Sequence, residues 1–129
     1  MPLISSCSPK GSASSSPNLN DQLAQGKILY EQSCAQCHYE GSGNPVAPDL
    51  LGSAVLSDAP QILARQILTG QQGVSMKDGV KFNGFMPALD SLRDDEIAAV
   101  VVYVRDTFGN RREAFSPQTV SEVRASLNQ

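Results

Sequence analysis

The chain has 129 residues, 40 % of them apolar and 18 % charged, with a formal net charge of −3. That length suits one compact domain with a modest core. The acidic balance argues against a nucleic-acid partner, which normally meets a basic face. The longest apolar run, Ile97 to Val104, is far too short to cross a bilayer. Aromatic residues make up 5 % and Trp is absent, so side chains alone fill a core poorly and something other than protein is expected to help.

Residues 5 to 17 are of low complexity, and seven of the first twelve are serine. Almost nothing there can be buried, so the segment cannot offset its own ordering entropy and reads as a flexible tether. Residues 1–19 are therefore assigned to a tether and residues 20–129 to the folded domain.

A first helix is predicted from about Asp21 to Ser33, with Asn20 as N-cap and Asp21 placing negative charge in the first turn. Leu23, Gly26 and Tyr30 give it one narrow inward face. Gly26 costs roughly 1 kcal/mol relative to Ala in a helix interior, and a close approach by another helix would justify it. The run Gly41 to Pro48 reads as loop.

A second helix is expected from about Pro60 to Leu68, with Ile62, Leu63 and Ile67 as the buried stripe and Gly70 as the stop. Residues 70 to 91 hold five glycines or prolines and no helical period, which predicts a long irregular loop. Loops of that length without structure are uncommon unless they carry function. The third helix is the clearest, from about Asp94 to Phe108. Asp94, Asp95 and Glu96 complement its N-terminal dipole, Arg105 lies near the other end and Gly109 is the expected stop. Its apolar stripe is Ile97, Val100, Val101, Val104 and Phe108. A short final helix starts at Ser116-Pro117, with Val120, Val123 and Leu127 inward. No strand pattern competes, so the expected fold class is all-α, small helices joined by long loops.

Two of the three cysteines fall in Cys34-Ala35-Gln36-Cys37-His38. C-x-x-C-H is the attachment signature of a c-type haem. Two thiols at that spacing can reach two vinyl-derived carbons on one porphyrin edge and form thioethers, while the adjacent His38 lies beneath the ring with a nitrogen aimed at iron. A closed zinc site needs four ligands, yet the chain has one histidine and no second C-x-x-C. A thioredoxin-like pair belongs to a βαβ setting that is not visible here. One covalently bound haem c, attached through Cys34 and Cys37, is the expected cofactor, and the same macrocycle would fill the poorly furnished core. The apo chain is then expected to fold poorly.

The opposite face of the iron could take methionine, water, lysine or nothing. Met86, in Asn83-Gly84-Phe85-Met86-Pro87-Ala88-Leu89, stands 48 residues beyond His38, ample chain to wrap round a haem edge. Met76 lies between polar neighbours and reads as an exposed loop residue. Methionine often serves as plain core filler. The glycine and proline around Met86, together with the His/Met pattern of haem ligation, make it the candidate sixth ligand.

Residues 20 to 127 resemble the class I c-type cytochromes, most closely the small bacterial mono-haem forms. Gly26-x-x-x-Tyr30-x-x-x-Cys34-x-x-Cys37-His38 is similar to that family's first helix and haem motif. Phe82-Asn83-Gly84-Phe85-Met86-Pro87 looks like its methionine-ligand loop, and Leu92 to Arg105 resembles its last core helix. The resemblance implies three core helices plus a short C-terminal helix and long loops around one haem. It implies that the first and last core helices cross near Gly26, with Val100 and Tyr103 as contacts. Pro48, in Ala47-Pro48-Asp49-Leu50, looks like the proline whose carbonyl accepts the ligand imidazole's hydrogen bond, which would make His38 a stronger donor. The implied cofactor contacts are Cys34, Cys37, His38, Pro48, Leu50, Asn83 and Met86, with His38 and Met86 on the metal. Ala47 replaces the usual glycine before that proline. Arg93 stands where a capping serine is usual, which points to Asp94 as the cap.

With both axial positions filled, catalysis at iron is disfavoured and no catalytic residue is expected. Methionine raises the potential, and the implied function is one-electron transfer from a dehydrogenase or the cytochrome bc1 complex to a terminal reductase or oxidase. The alternatives are an electron-transfer subunit of a larger oxidoreductase and a haem peroxidase or gas-binding haem protein. Redox proteins are the expected partners, met in small, transient interfaces by a monomer or a complex subunit. Lys77 and Lys81 could steer an acidic partner or simply be solvated.

Haem attachment of this type implies a periplasmic or extracytoplasmic site. Leu3-Ile4-Ser5-Ser6-Cys7 looks like the end of a bacterial lipoprotein signal, so Cys7 is a candidate acylated membrane anchor. The serine-rich tether would let the domain range by roughly 20 Å. The alternative is an incidental thiol in a flexible tail.

Overall fold

The computed structural model describes residues 18–34, 50, 53–77 and 80–128. Four α-helices, a 3-10 turn and one hairpin follow in order: α1 (Leu19–Ser33), the turn (Ala54–Leu56), α2 (Pro60–Thr69), β1 (Gln71–Lys77), β2 (Val80–Met86), α3 (Asp94–Gly109) and α4 (Pro117–Ser126). Cys7, Cys37, His38, Pro48 and most of the expected tether lie outside the described residues.

The core is built mainly by helices, as expected of the all-α fold, with Leu56 of the 3-10 turn and Phe115 of the strap before α4 joining it. Ile97 through Val102 are all buried, so α3 is apolar around its whole circumference over these turns. A helix of that kind must be enclosed by others. α1 covers one side of it, α4 and α2 the other, and the 3-10 turn inserts Leu56 at its far end.

α1 begins two residues earlier than its apolar pattern suggests. Its N-cap is Asn18, not Asn20, and the Asn18 side chain accepts the Asp21 N–H at 3.1 Å. Gly26 faces α3 so closely that a Cβ there would strike the Ala99 carbonyl oxygen and come within 2.6 Å of Tyr103 Cβ. The crossing expected at Gly26 is therefore real, with Ala99 and the expected Tyr103 as the nearest neighbours of that position. Tyr30, Tyr103 and Phe108 close this interface, with ring centroids 5.3 to 6.1 Å apart.

α2 matches its expected span to one residue, and Gly70 ends it with φ 71°. Its buried face is Leu63, Ala64, Ile67 and Leu68, while Ile62, placed in the stripe by sequence, is half exposed. α3 starts at Asp94, but the cap is Arg93, whose backbone N–H donates to Glu96 Oε1 at 2.8 Å. Gly109 does not stop this helix. It is its last residue, and Asn110 ends it in the left-handed region at φ 55°. The glycine is needed because Leu56 Cβ would lie 2.7 Å from a Cβ at that position. Arg105, expected as a dipole complement at the helix end, is 4 % exposed and donates to Glu113 Oε1 at 3.1 Å and the Asp58 carbonyl at 3.3 Å.

The segment expected to be an irregular loop contains an antiparallel hairpin. Gln71 pairs with Met86 at its root and Lys77 with Val80 at its tip. Met76 is thus a strand residue opposite Lys81. In α4, Ser116 caps the Gln118 N–H at 3.1 Å, Val120 is fully buried, and Val123 and Leu127 pack on the core as expected.

Candidate haem site

Cys34 is the C-cap of α1. Its backbone N–H donates to the Tyr30 carbonyl at 2.8 Å, so the cysteine is placed by the same helix that carries the Tyr30–Tyr103–Phe108 cluster. The side chain is partly exposed and rests against the helical core. Leu50 also packs on that core from the stretch preceding the 3-10 turn, where its carbonyl accepts the Ser53 N–H at 3.1 Å.

Met86 ends β2. It pairs with Gln71, next to the residue that terminates α2, and its side chain is likewise partly buried on the core. The backbone around it is confined. A Cβ on Gly70 would collide with the Met86 carbonyl and approach Ala88 N at 2.7 Å. Three residues later the Leu89 N–H donates to the Ile67 carbonyl at 2.9 Å. Gly70 combines a positive φ with that close approach, and only glycine meets both demands without strain. The sequence marks Gly70 as a helix stop; its second task, seating the Met86 backbone, has no local signature.

Cys34, Leu50 and Met86 therefore come from three separate segments and settle on one core, each partly open. They present sulfur and hydrocarbon, the surface that suits an apolar macrocycle with a thioether ligand and a thiol attachment point. Among the described residues no cluster of three His, Cys, Asp or Glu side chains could hold a bare metal ion. The residues present fit a haem. Asn83 pairs with Val74 in the hairpin and is not next to Met86 in register. Lys77 and Lys81 are at and near the hairpin tip. Cys37, His38 and Pro48 lie outside the described residues.

Residues 21–104 match the family described as cytochrome c oxidase, cbb3-type, subunit III. Cytochrome c-552 of Thermus thermophilus is 35 % identical over 114 residues, covering 78 % of this chain and 82 % of that protein. Cytochrome c6 of Chlorolobion braunii is 37 % identical over 91 residues, 65 % of this chain and 89 % of that one. The fructose dehydrogenase cytochrome subunit of Gluconobacter japonicus is 32 % identical over 84 % of this chain, which spans 24 % of that subunit. The matched family and these relatives define the class of the protein as a cytochrome c domain. In particular, the chain belongs to the class I c-type cytochromes, and haem c is the cofactor that this family implies.

Proposed function

We propose that this cytochrome carries single electrons between extracytoplasmic redox proteins, using one haem c joined to Cys34 and Cys37 and ligated by His38 and Met86. The observation that carries the reading is the joint placement of Cys34, at the end of α1, and Met86, at the root of the hairpin, on the same core. The bound haem supplies a one-electron ferric/ferrous couple. The protein's part is to hold both axial donors still, so that neither moves much when the charge changes. For Met86, the contacts of Gly70 and Leu89 serve that purpose. With His38 and Met86 both holding the iron, small oxidants would be kept from it, which is why a carrier is favoured over a peroxidase or gas-binding protein.

The test is the optical spectrum and midpoint potential of the holoprotein and of Met86→Ala. The wild type should be low-spin with the weak long-wavelength thioether-to-iron band. Met86→Ala should lose that band and become high-spin or ligand-accessible, with a potential lower by the order of 100 mV or more, since thioether ligation raises it. An unchanged spectrum and potential in Met86→Ala would refute the assignment.

A second reading, a subunit of a larger oxidoreductase, draws support from the likeness to the fructose dehydrogenase cytochrome subunit and to a nicotinate dehydrogenase component of Pseudomonas putida. Co-purification of a dehydrogenase with the native protein would favour it. Among the described residues no helix is long and apolar enough to cross a membrane. Separately, we infer from the sequence Leu3-Ile4-Ser5-Ser6-Cys7 that Cys7 is an acylated membrane anchor. Mass spectrometry of the native membrane fraction tests this, and an unacylated Cys7 would end the idea.

A further inference from the structure

Arg124, on α4, reaches across to the stretch that joins Met86 to α3. Its Nη1 donates to the Asp90 carbonyl at 2.8 Å, its Nη2 to the Leu92 carbonyl at 2.8 Å, and its Nε to Asp94 Oδ1 at 2.9 Å. The two carbonyls are brought to one side by a turn in which the Leu92 N–H donates to the Leu89 carbonyl at 3.2 Å. A planar guanidinium can serve three acceptors spread over five residues, whereas an ammonium cannot hold that geometry. Hydrogen bonds from a charged donor are also the stronger kind.

The segment after Met86 is therefore anchored from two independent directions. α2 holds it at Gly70 and at Ile67, through Leu89. α4 holds it at residues 90, 92 and 94, through the three hydrogen bonds of Arg124. We propose that Arg124 is a positioning residue for Met86: it latches the 90–94 segment and so sets how readily the thioether leaves the iron. The proposal rests on Met86 being the sixth ligand. With haem bound, a foreign ligand would need Met86 to move aside, and the free energy of such a local opening depends on the anchors that must be released.

The experiment titrates the ferric holoprotein with imidazole and follows loss of the thioether-to-iron band, in parallel with denaturant unfolding. Arg124→Gln should bind imidazole with an affinity roughly tenfold higher than wild type, the scale of losing a charge-assisted hydrogen bond. Arg124→Lys, a milder change that keeps the charge and stem, should shift the same way by a smaller factor. Arg112→Gln breaks the exposed Arg112–Asp106 pair near the other end of α3 and should leave imidazole affinity unchanged. If Arg124→Gln and Arg124→Lys unfold at lower denaturant while imidazole affinity stays at the wild-type value, Arg124 is only a general brace and the proposal is overturned. Failure of the underlying reading shows separately: the wild type would then lack the thioether band, or Met86→Ala would retain it, and the proposal would fall with it.

Discussion

At the scale of single residues, the tightest constraint is at Gly26. The Ala99 carbonyl and Tyr103 Cβ occupy the space a methyl group would need, and a backbone carbonyl on a buried helix cannot swing aside. Gly26→Ala improves helix propensity, yet overpacking should win and destabilise the holoprotein by about 2 kcal/mol or more, measured by denaturant unfolding. Asp95 offers a smaller, pH-dependent effect. The hydrogen bond from the Arg93 guanidinium, at 3.0 Å, holds its carboxyl below the ordinary aspartate value, with Arg93's charge and a hydrogen bond from Gln25 adding to it against partial burial. A carboxyl whose pKa is depressed on folding stabilises the native state above its unfolded pKa and loses that contribution as pH falls through the folded value. Both side chains are largely in water, 68 % and 48 % exposed, so screening keeps the contribution small. Asp95→Asn should be slightly less stable than wild type at pH 7, and the gap should close below about pH 4 and shrink in high salt.

At the scale of elements, α1 is tied to the strap between α3 and α4 by one buried amide. Gln22, 7 % exposed, donates from Nε2 to the Phe115 carbonyl at 2.6 Å and accepts the Phe115 N–H at Oε1 at 3.2 Å. This pairs both backbone groups of a buried residue 93 positions away. Gln22→Ala leaves that N–H and C=O without their partners, which should cost about 2–3 kcal/mol. The same change should speed amide exchange at Phe115 and α4 ahead of α3. Equal protection loss throughout the molecule would argue against a local tie. The hairpin is the other element with a clear task. Its antiparallel register delivers Met86 to the end of α2, a placement that a loose loop of the same length would leave to chance.

At the scale of the whole molecule, α3 is the axis. Its buried faces are filled by valine and alanine, and large rings are confined to a few positions such as Tyr30, Tyr103, Phe108 and Phe115. Cys34, Leu50, Met86 and Leu89 are left half covered on the core's margin. A chain furnished in this way should depend on its cofactor to complete folding. Expressed as Cys34→Ser/Cys37→Ser, without attached haem, it should show reduced helical circular dichroism and a broad thermal transition. A sharp melt at the holoprotein's temperature would contradict that dependence.

The amino-acid order by itself determined the helical class and three helix spans to within a residue or two, and it supplied the proposed site at Cys34, Cys37, His38 and Met86. These are local properties: apolar spacing, caps, turn residues and a five-residue chemical motif can each be read in a short window. The hairpin was hidden because the glycines of residues 70–91 outweighed the alternation Val80-Lys81-Phe82-Asn83 and the Asp78-Gly79 step, a dipeptide that tight hairpins favour. Gln22, Arg105 and Arg124 gave no sign of their roles, since a polar residue on an amphipathic helix looks solvated until its distant partner is known. Tertiary structure alone decided that Ala99 meets Gly26, that Leu56 needs Gly109, and that Gly70 seats Met86. Each is a close approach brought about by packing, and such contacts depend on the shape of the assembled core rather than on any neighbouring sequence.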